Sequence, residues 1–126
     1  MTKRKRKIFI CFLLFWVLCN IYHKYFTRDM IVGVYVNYNY QGDICIPGVP
    51  DVADTLYINK DGTFHNKYWG KGTYELETTH RGTSIDFNVS DSSGNMGMFL
   101  YFSRRYFGEP RIDLYLDTDH YYKKIK

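Results

Sequence analysis

The chain has 126 residues, enough for one domain, with 17 basic and 13 acidic side chains and a formal charge of +4. Seven of the basic residues lie at or before Arg28 and every acidic one at or after Asp29, so from Asp29 onward 10 basic residues face 13 acidic ones, a balance of −3. A mildly acidic domain has no electrostatic footprint for a phosphate backbone, which excludes the nucleic-acid-binding classes.

In chain order, the first element is a basic tail, residues 1–7, followed by an apolar segment, residues 8–26. Ile8 to Leu18 is an uninterrupted apolar run, and the pattern continues to Tyr25 and Phe26. The run contains no Ala, Gly or Ser, so it offers no small-x-small site for a signal peptidase, and the bulky Leu18 before Cys19 fits a lipoprotein signal poorly. Counted to Phe26, the segment approaches the length that a hydrocarbon layer of about 30 Å requires. Tyr22, Tyr25 and Phe26 form an aromatic belt at its end, and Lys24 can snorkel toward the headgroups. The expectation is an uncleaved signal-anchor whose partner is the lipid bilayer. Five consecutive basic residues, Lys3 to Lys7, hold the N-terminus on the cytoplasmic side and export the rest, to the periplasm or cell surface.

After a linker at 27–30, residues 31–126 read as strands and turns. "IVGVYVNYNY", Ile31 to Tyr40, is rich in β-branched and aromatic residues, and no later segment has a helical period. Leu56 and Ile58 oppose Thr55, Tyr57 and Asn59; Tyr74 and Leu76 oppose Thr73, Glu75 and Glu77. Ile85, Phe87 and Val89 oppose Ser84, Asp86 and Asn88, and Ile112, Leu114 and Leu116 oppose Arg111, Asp113, Tyr115 and Asp117. One dry and one wet face per strand is the signature of an antiparallel sheet. Asp61-Gly62 reads as a two-residue primed hairpin turn, and Gly70, Gly72, Gly82, Gly94 and Gly108 punctuate the remainder. About eight strands are expected, near 31–39, 54–59, 63–69, 72–78, 83–89, 96–103, 111–117 and 119–125. Short connections make a meander, so the fold class is all-β: an up-and-down barrel, or alternatively a strongly curved open sheet, behind one N-terminal transmembrane helix.

Gly33-Val34-Tyr35, "LYINKDGTF" and "GKGTYEL" resemble the lipocalin-like domains of the calycin type, small meander barrels in which a Gly-x-Trp opens the first strand and a DGTF hairpin is common. Tyr35 stands where that family has Trp. The resemblance implies a barrel with a ligand site at its mouth, below a first long loop, here "QGDICIPGVPDVAD" from Gln41 to Asp54. Tyrosine and tryptophan join apolar area to a polar handle, which suits binding surfaces. The candidate ligand or partner contacts are Tyr35, Tyr38, Tyr40, Asp43, Trp69 and Tyr101.

Catalytic motifs are missing from the sequence: no serine sits in a nucleophile elbow, no glycine-rich loop precedes a helix, and Cys45, His65, His80 and His120 lack the paired spacing of zinc ligands. No cofactor and no enzymatic role are expected. Arg104-Arg105 beside Tyr106 and Phe107 is a candidate anion contact, or a solvated strand end. Two functions of different class remain. One is a membrane-tethered module holding a small apolar ligand; the other is an extracytoplasmic interaction protein, of inhibitor or immunity type, whose barrel is filled and whose partner is a protein. If Leu56, Ile58, Tyr74, Leu76, Ile85, Phe87, Leu114 and Leu116 fill the interior, the second is favoured; a cavity of several hundred Å³ favours the first.

Overall fold

The computed structural model describes residues 1–39, 50, 52–91, 94–105, 107–115 and 119–126. Helix α1 spans Lys3–Lys24, 22 residues, and starts earlier than the apolar run because Thr2 caps it, its hydroxyl accepting from the Lys5 N–H at 3.4 Å. None of its residues is buried, and the helix is long and apolar enough to cross a membrane. A single turn, α2 (Arg28–Ile31), follows where a linker was expected.

Eight strands come next: β1 (Gly33–Tyr38), β2 (Thr55–Ile58), β3 (Thr63–Asn66), β4 (Gly70–Thr79), β5 (Gly82–Asp91), β6 (Gly94–Ser103), β7 (Arg111–Tyr115) and β8 (His120–Lys124). Each pairs antiparallel with its neighbours in sequence, and β8 returns to β1 with Asn37 opposite Tyr122 and Tyr38 opposite Tyr121. The barrel is therefore closed, and among the described residues no strand is left with an unpaired edge. The Asp61-Gly62 turn differs from the expected primed pair. Asn59 and Thr63 close a three-residue loop in which Gly62 has φ +88 while Asp61 stays in the ordinary region; the Asp61 carboxylate instead accepts from the Thr63 N–H and hydroxyl at 3.0 and 2.6 Å.

The core is the barrel interior. Tyr35, Leu56, Ile58, Phe64, Tyr74, Ile85, Phe87, Phe102, Ile112, Leu114 and Tyr122 point inward and are buried, with Leu76, Val89, Met98 and Leu100 packed against them. These include seven of the eight interior residues expected from alternation; the eighth, Leu116, lies outside the described residues. These residues pack together inside the eight-stranded barrel, whose interior is of the size that side chains can fill. Phe64 meets Phe87 edge-on at 4.7 Å, and Trp69 lies 5.3 Å from Phe87 and 5.9 Å from Tyr122.

The strand directions divide the connections between two ends. The helix end carries α1, α2 and the turns β2–β3, β4–β5 and β6–β7. There α2 acts as a plug: Ile31 is fully buried and its carbonyl accepts the Tyr35 hydroxyl at 2.6 Å. Phe26 is buried as well, its N–H donating to the Thr83 hydroxyl at 2.9 Å, so two residues after α1 ends the chain is already part of the barrel.

Candidate functional site

At the far end the interior closes on polar side chains. Three strands finish with an inward polar residue after or before an inward aromatic one: Asn37 two residues after Tyr35, Asn66 two after Phe64, His120 two before Tyr122. Asp54, immediately before β2, joins them. Its carboxylate accepts the Tyr122 hydroxyl at 2.6 Å, the Asn66 amide at 2.7 Å and the Lys67 N–H at 3.2 Å. The Asn66 carbonyl oxygen takes the Trp69 N–H at 2.8 Å, which ties the β3–β4 turn down and carries the indole inside. The Asn37 amide donates to the carbonyls of Pro50 and Val52, both at 3.0 Å, which turns its oxygen toward His120 Nε2 at 2.8 Å and makes that nitrogen the donor. Burial, then the hydrogen bond and charge of Asp54, push the Tyr122 hydroxyl pKa well above the usual tyrosine value. A carboxylate engaged on both oxygens and a phenol held neutral tie β2, β3 and β8 together at this end.

The barrel exterior is different. Tyr57 and His65, directly opposite on β2 and β3, stack with centroids 4.4 Å apart and planes 7° from parallel. Tyr38 and Tyr121, opposite on β1 and β8, stack at 5.6 Å and 10°. Val36, half-buried and outward, lies between the two pairs. Two shallow hollows open beside the Tyr57–His65 stack. One, of about 370 Å³, is lined by Val36, Asp54, Thr55, Tyr57, His65 and Lys67 among others; a second of about 470 Å³ runs along Asn59, Thr63, His65, Lys71 and Thr73. Both are on the surface, open to solvent.

The aromatic face continues onto β7 through Arg111. Its guanidinium lies 4.3 Å from the Tyr121 ring centre, donates to Ser103 Oγ at 3.0 Å and pairs with Asp113 at 3.3 Å and Asp119 at 3.2 Å. Asp119 also holds Arg105 at 3.2 Å, and its backbone takes the positive φ of 50° as the carbonyl accepts from the Asn39 amide. Burial raises the pKa of Asp113, opposed by its hydrogen bond to Ser103 and by Arg111. Arg104 and Arg105, paired in sequence, therefore part: Arg105 joins this ion-pair cluster, while Arg104 lies over the rings of Tyr22 and Phe26, at 4.1 and 4.8 Å.

The four described residues of the sequence-derived contact set lie in different places. Tyr35 is wholly inside and Trp69 is nearly so, at 8% exposed. Tyr38 belongs to the outer face, and Tyr101 is also outward but on β6, beside Phe99 at 5.3 Å. Tyr40 and Asp43 lie outside the described residues, as does Cys45. His65 and Tyr121 were missing from that set although their positions, opposite inward Phe64 and Tyr122, were readable from the alternation. Among the described residues no three His, Cys, Asp or Glu side chains gather as metal ligands. No family model matches the chain, and neither a curated protein nor a solved structure gives a significant match.

Proposed function

We propose that this chain is a membrane-tethered interaction protein. Helix α1 anchors it with the basic tail in the cytoplasm, and the barrel offers its outer aromatic face, outside the cytoplasm, to a protein partner. The observation that carries this reading is the division of aromatic residues. Tyr35, Phe64, Phe87 and Tyr122 are at most 1% exposed inside the barrel, whereas Tyr38 and Tyr57 remain about two-fifths exposed outside it. Paired tyrosines with an adjacent arginine are the composition of interface hot spots, and rigid strands hold them without an entropic cost on binding. The domain is read as non-catalytic and without a cofactor.

A photoreactive residue in place of Tyr57 in the full chain, expressed in its membrane, tests this. A discrete protein adduct is expected, lost on Tyr38→Asp and retained on Phe99→Asp. Saturable uptake of a fluorescent fatty acid by the purified full chain, abolished by Tyr35→Ala, would instead overturn the reading in favour of a ligand inside a lipocalin-like barrel.

A further inference from the structure

Basic residues of this domain concentrate at the helix end of the barrel. The helix-end segments 24–31, 59–62, 79–82, 104–110 and 124–126 hold eight basic residues against three acidic, a balance of +5. The rest of the chain beyond residue 24 holds four basic residues against ten acidic, or −6. The cationic end is the one from which α1 emerges.

That end is also bound closely to the helix. The Gly82 backbone, at φ +125, approaches so near that a Cβ there would stand 2.9 Å from the Lys24 carbonyl oxygen. Arg104 donates to the Tyr22 carbonyl at 3.4 Å across the ring contact already described. Phe107, in the β6–β7 connection, is 90% exposed, and its ring lies 6.1 Å from that of Tyr22. An exposed phenylalanine is thus held level with a tyrosine of the expected interfacial belt.

The apolar part of the helix is at the short end of what spans a bilayer. From Ile8 to its last residue, Lys24, it has 17 residues, about 25 Å at 1.5 Å each, against about 30 Å of hydrocarbon. A span that falls short draws its flanking groups toward the bilayer, and here the flanking group is the barrel end itself.

We propose that the helix end of the barrel is a membrane-facing foot. Phe107 and Tyr22 lie at the boundary of acyl chains and headgroups, and Lys24 and Arg81 engage the phosphates of anionic lipids. The proposal rests on the reading of α1 as a membrane span. It makes the bilayer a second binding partner of the folded domain, one that orients the barrel axis and leaves the far end and the aromatic side directed away from the lipid.

The full chain, with Cys11, Cys19 and Cys45 replaced by serine, is reconstituted in vesicles of phosphatidylcholine with a minority of phosphatidylglycerol. A nitroxide is attached in turn at Phe107→Cys, Tyr38→Cys and Leu13→Cys, and its collisions with oxygen and with a water-soluble nickel chelate are compared. The label at 107 is expected to favour oxygen several-fold more than the label at 38. That preference is expected to fall in pure phosphatidylcholine and on Arg81→Glu. Equal profiles at 107 and 38, with a lipid-like label at 13, overturn the foot and leave the span intact. A water-like label at 13 overturns the span and the foot together, and a label at 107 that ignores lipid charge overturns the phosphate contacts.

Discussion

Asp54 accepts three hydrogen bonds while only 7% of it is exposed, from donors on β3, in the turn after it and on β8. A hydrogen bond to a charged group contributes about 1.5–3 kcal/mol, and an orphaned buried partner costs a similar amount. Tyr122→Phe is therefore expected to destabilise the protein by about 1.5–3 kcal/mol, and Asp54→Asn by a comparable amount. Because both changes break the same contact, their sum is expected to exceed the double variant's loss, which chemical denaturation of the four proteins measures. Additive losses would place the two groups in separate environments. Alternation in the sequence assigns Leu56 and Ile58 to the dry face, and the structure adds Phe64 and Tyr122 to that interior. The polar cluster was not legible, because Asp54, Asn66 and Tyr122 meet only after the sheet has closed and no local pattern encodes that meeting. Trp69 illustrates the same limit: expected at a contact surface, it turns inside as its backbone N–H donates to Asn66 Oδ1.

At the scale of elements, β4 crosses the barrel at a point where the wall leaves no room for a side chain. Gly72 lies opposite Val89 on β5, and a Cβ on it would collide with the Asn88 carbonyl oxygen and come within 2.9 Å of the Phe64 ring. Both the obstructing backbone and the ring belong to packed strands, so neither can give way cheaply. Gly97 on β6 faces outward, with Asp86 Oδ1 its nearest neighbour at 3.8 Å. Gly72→Ala is expected to cost about 1–3 kcal/mol, while Gly97→Ala is expected to be neutral or to stabilise by about 0.5–1 kcal/mol through reduced backbone entropy in the unfolded chain. Thermal melts of the two variants distinguish these outcomes, and a tolerated Gly72→Ala would mean that β4 and β5 are packed less tightly than described. The sequence marks both positions only as glycine in a strand. Period-two alternation does place Gly72 on the inward side with Tyr74, yet the closeness of Asn88 arises from the curvature of the closed sheet. The same reasoning explains the four-residue helix α2, too short to show any period, and identified only by the Ile31 it inserts beneath Tyr35.

At the scale of the whole molecule, the buried tyrosines have a consequence in alkaline solution. Tyr35 and Tyr122 are fully buried, and burial is the largest cause holding both hydroxyl pKa values above the ordinary tyrosine range; Glu109 adds to it for Tyr35, and Asp54 for Tyr122. Tyr74 shifts in the same direction by burial, opposed by the nearby Arg28. For each phenol the folded state keeps its proton above pH about 10 while the unfolded chain releases it, so the unfolded state binds fewer protons and stability falls as pH rises. Below the unfolded value the two states bind equally and these groups contribute no slope. Each phenol that stays protonated in the fold adds about 1.4 kcal/mol of lost stability per pH unit, and Tyr35 with Tyr122 together about 2.7. Denaturation midpoints are thus expected to turn downward near pH 10. In Tyr122→Phe, less stable at neutral pH, the decline is expected to be shallower by about 1.4 kcal/mol per unit, so the difference from wild type narrows as pH rises. Lysine deprotonation is common to both proteins and cancels in that comparison. A constant difference across the alkaline range would mean that water reaches Tyr122 in the fold, and with it that the barrel interior has room the packing of Trp69, Phe87 and Tyr122 denies.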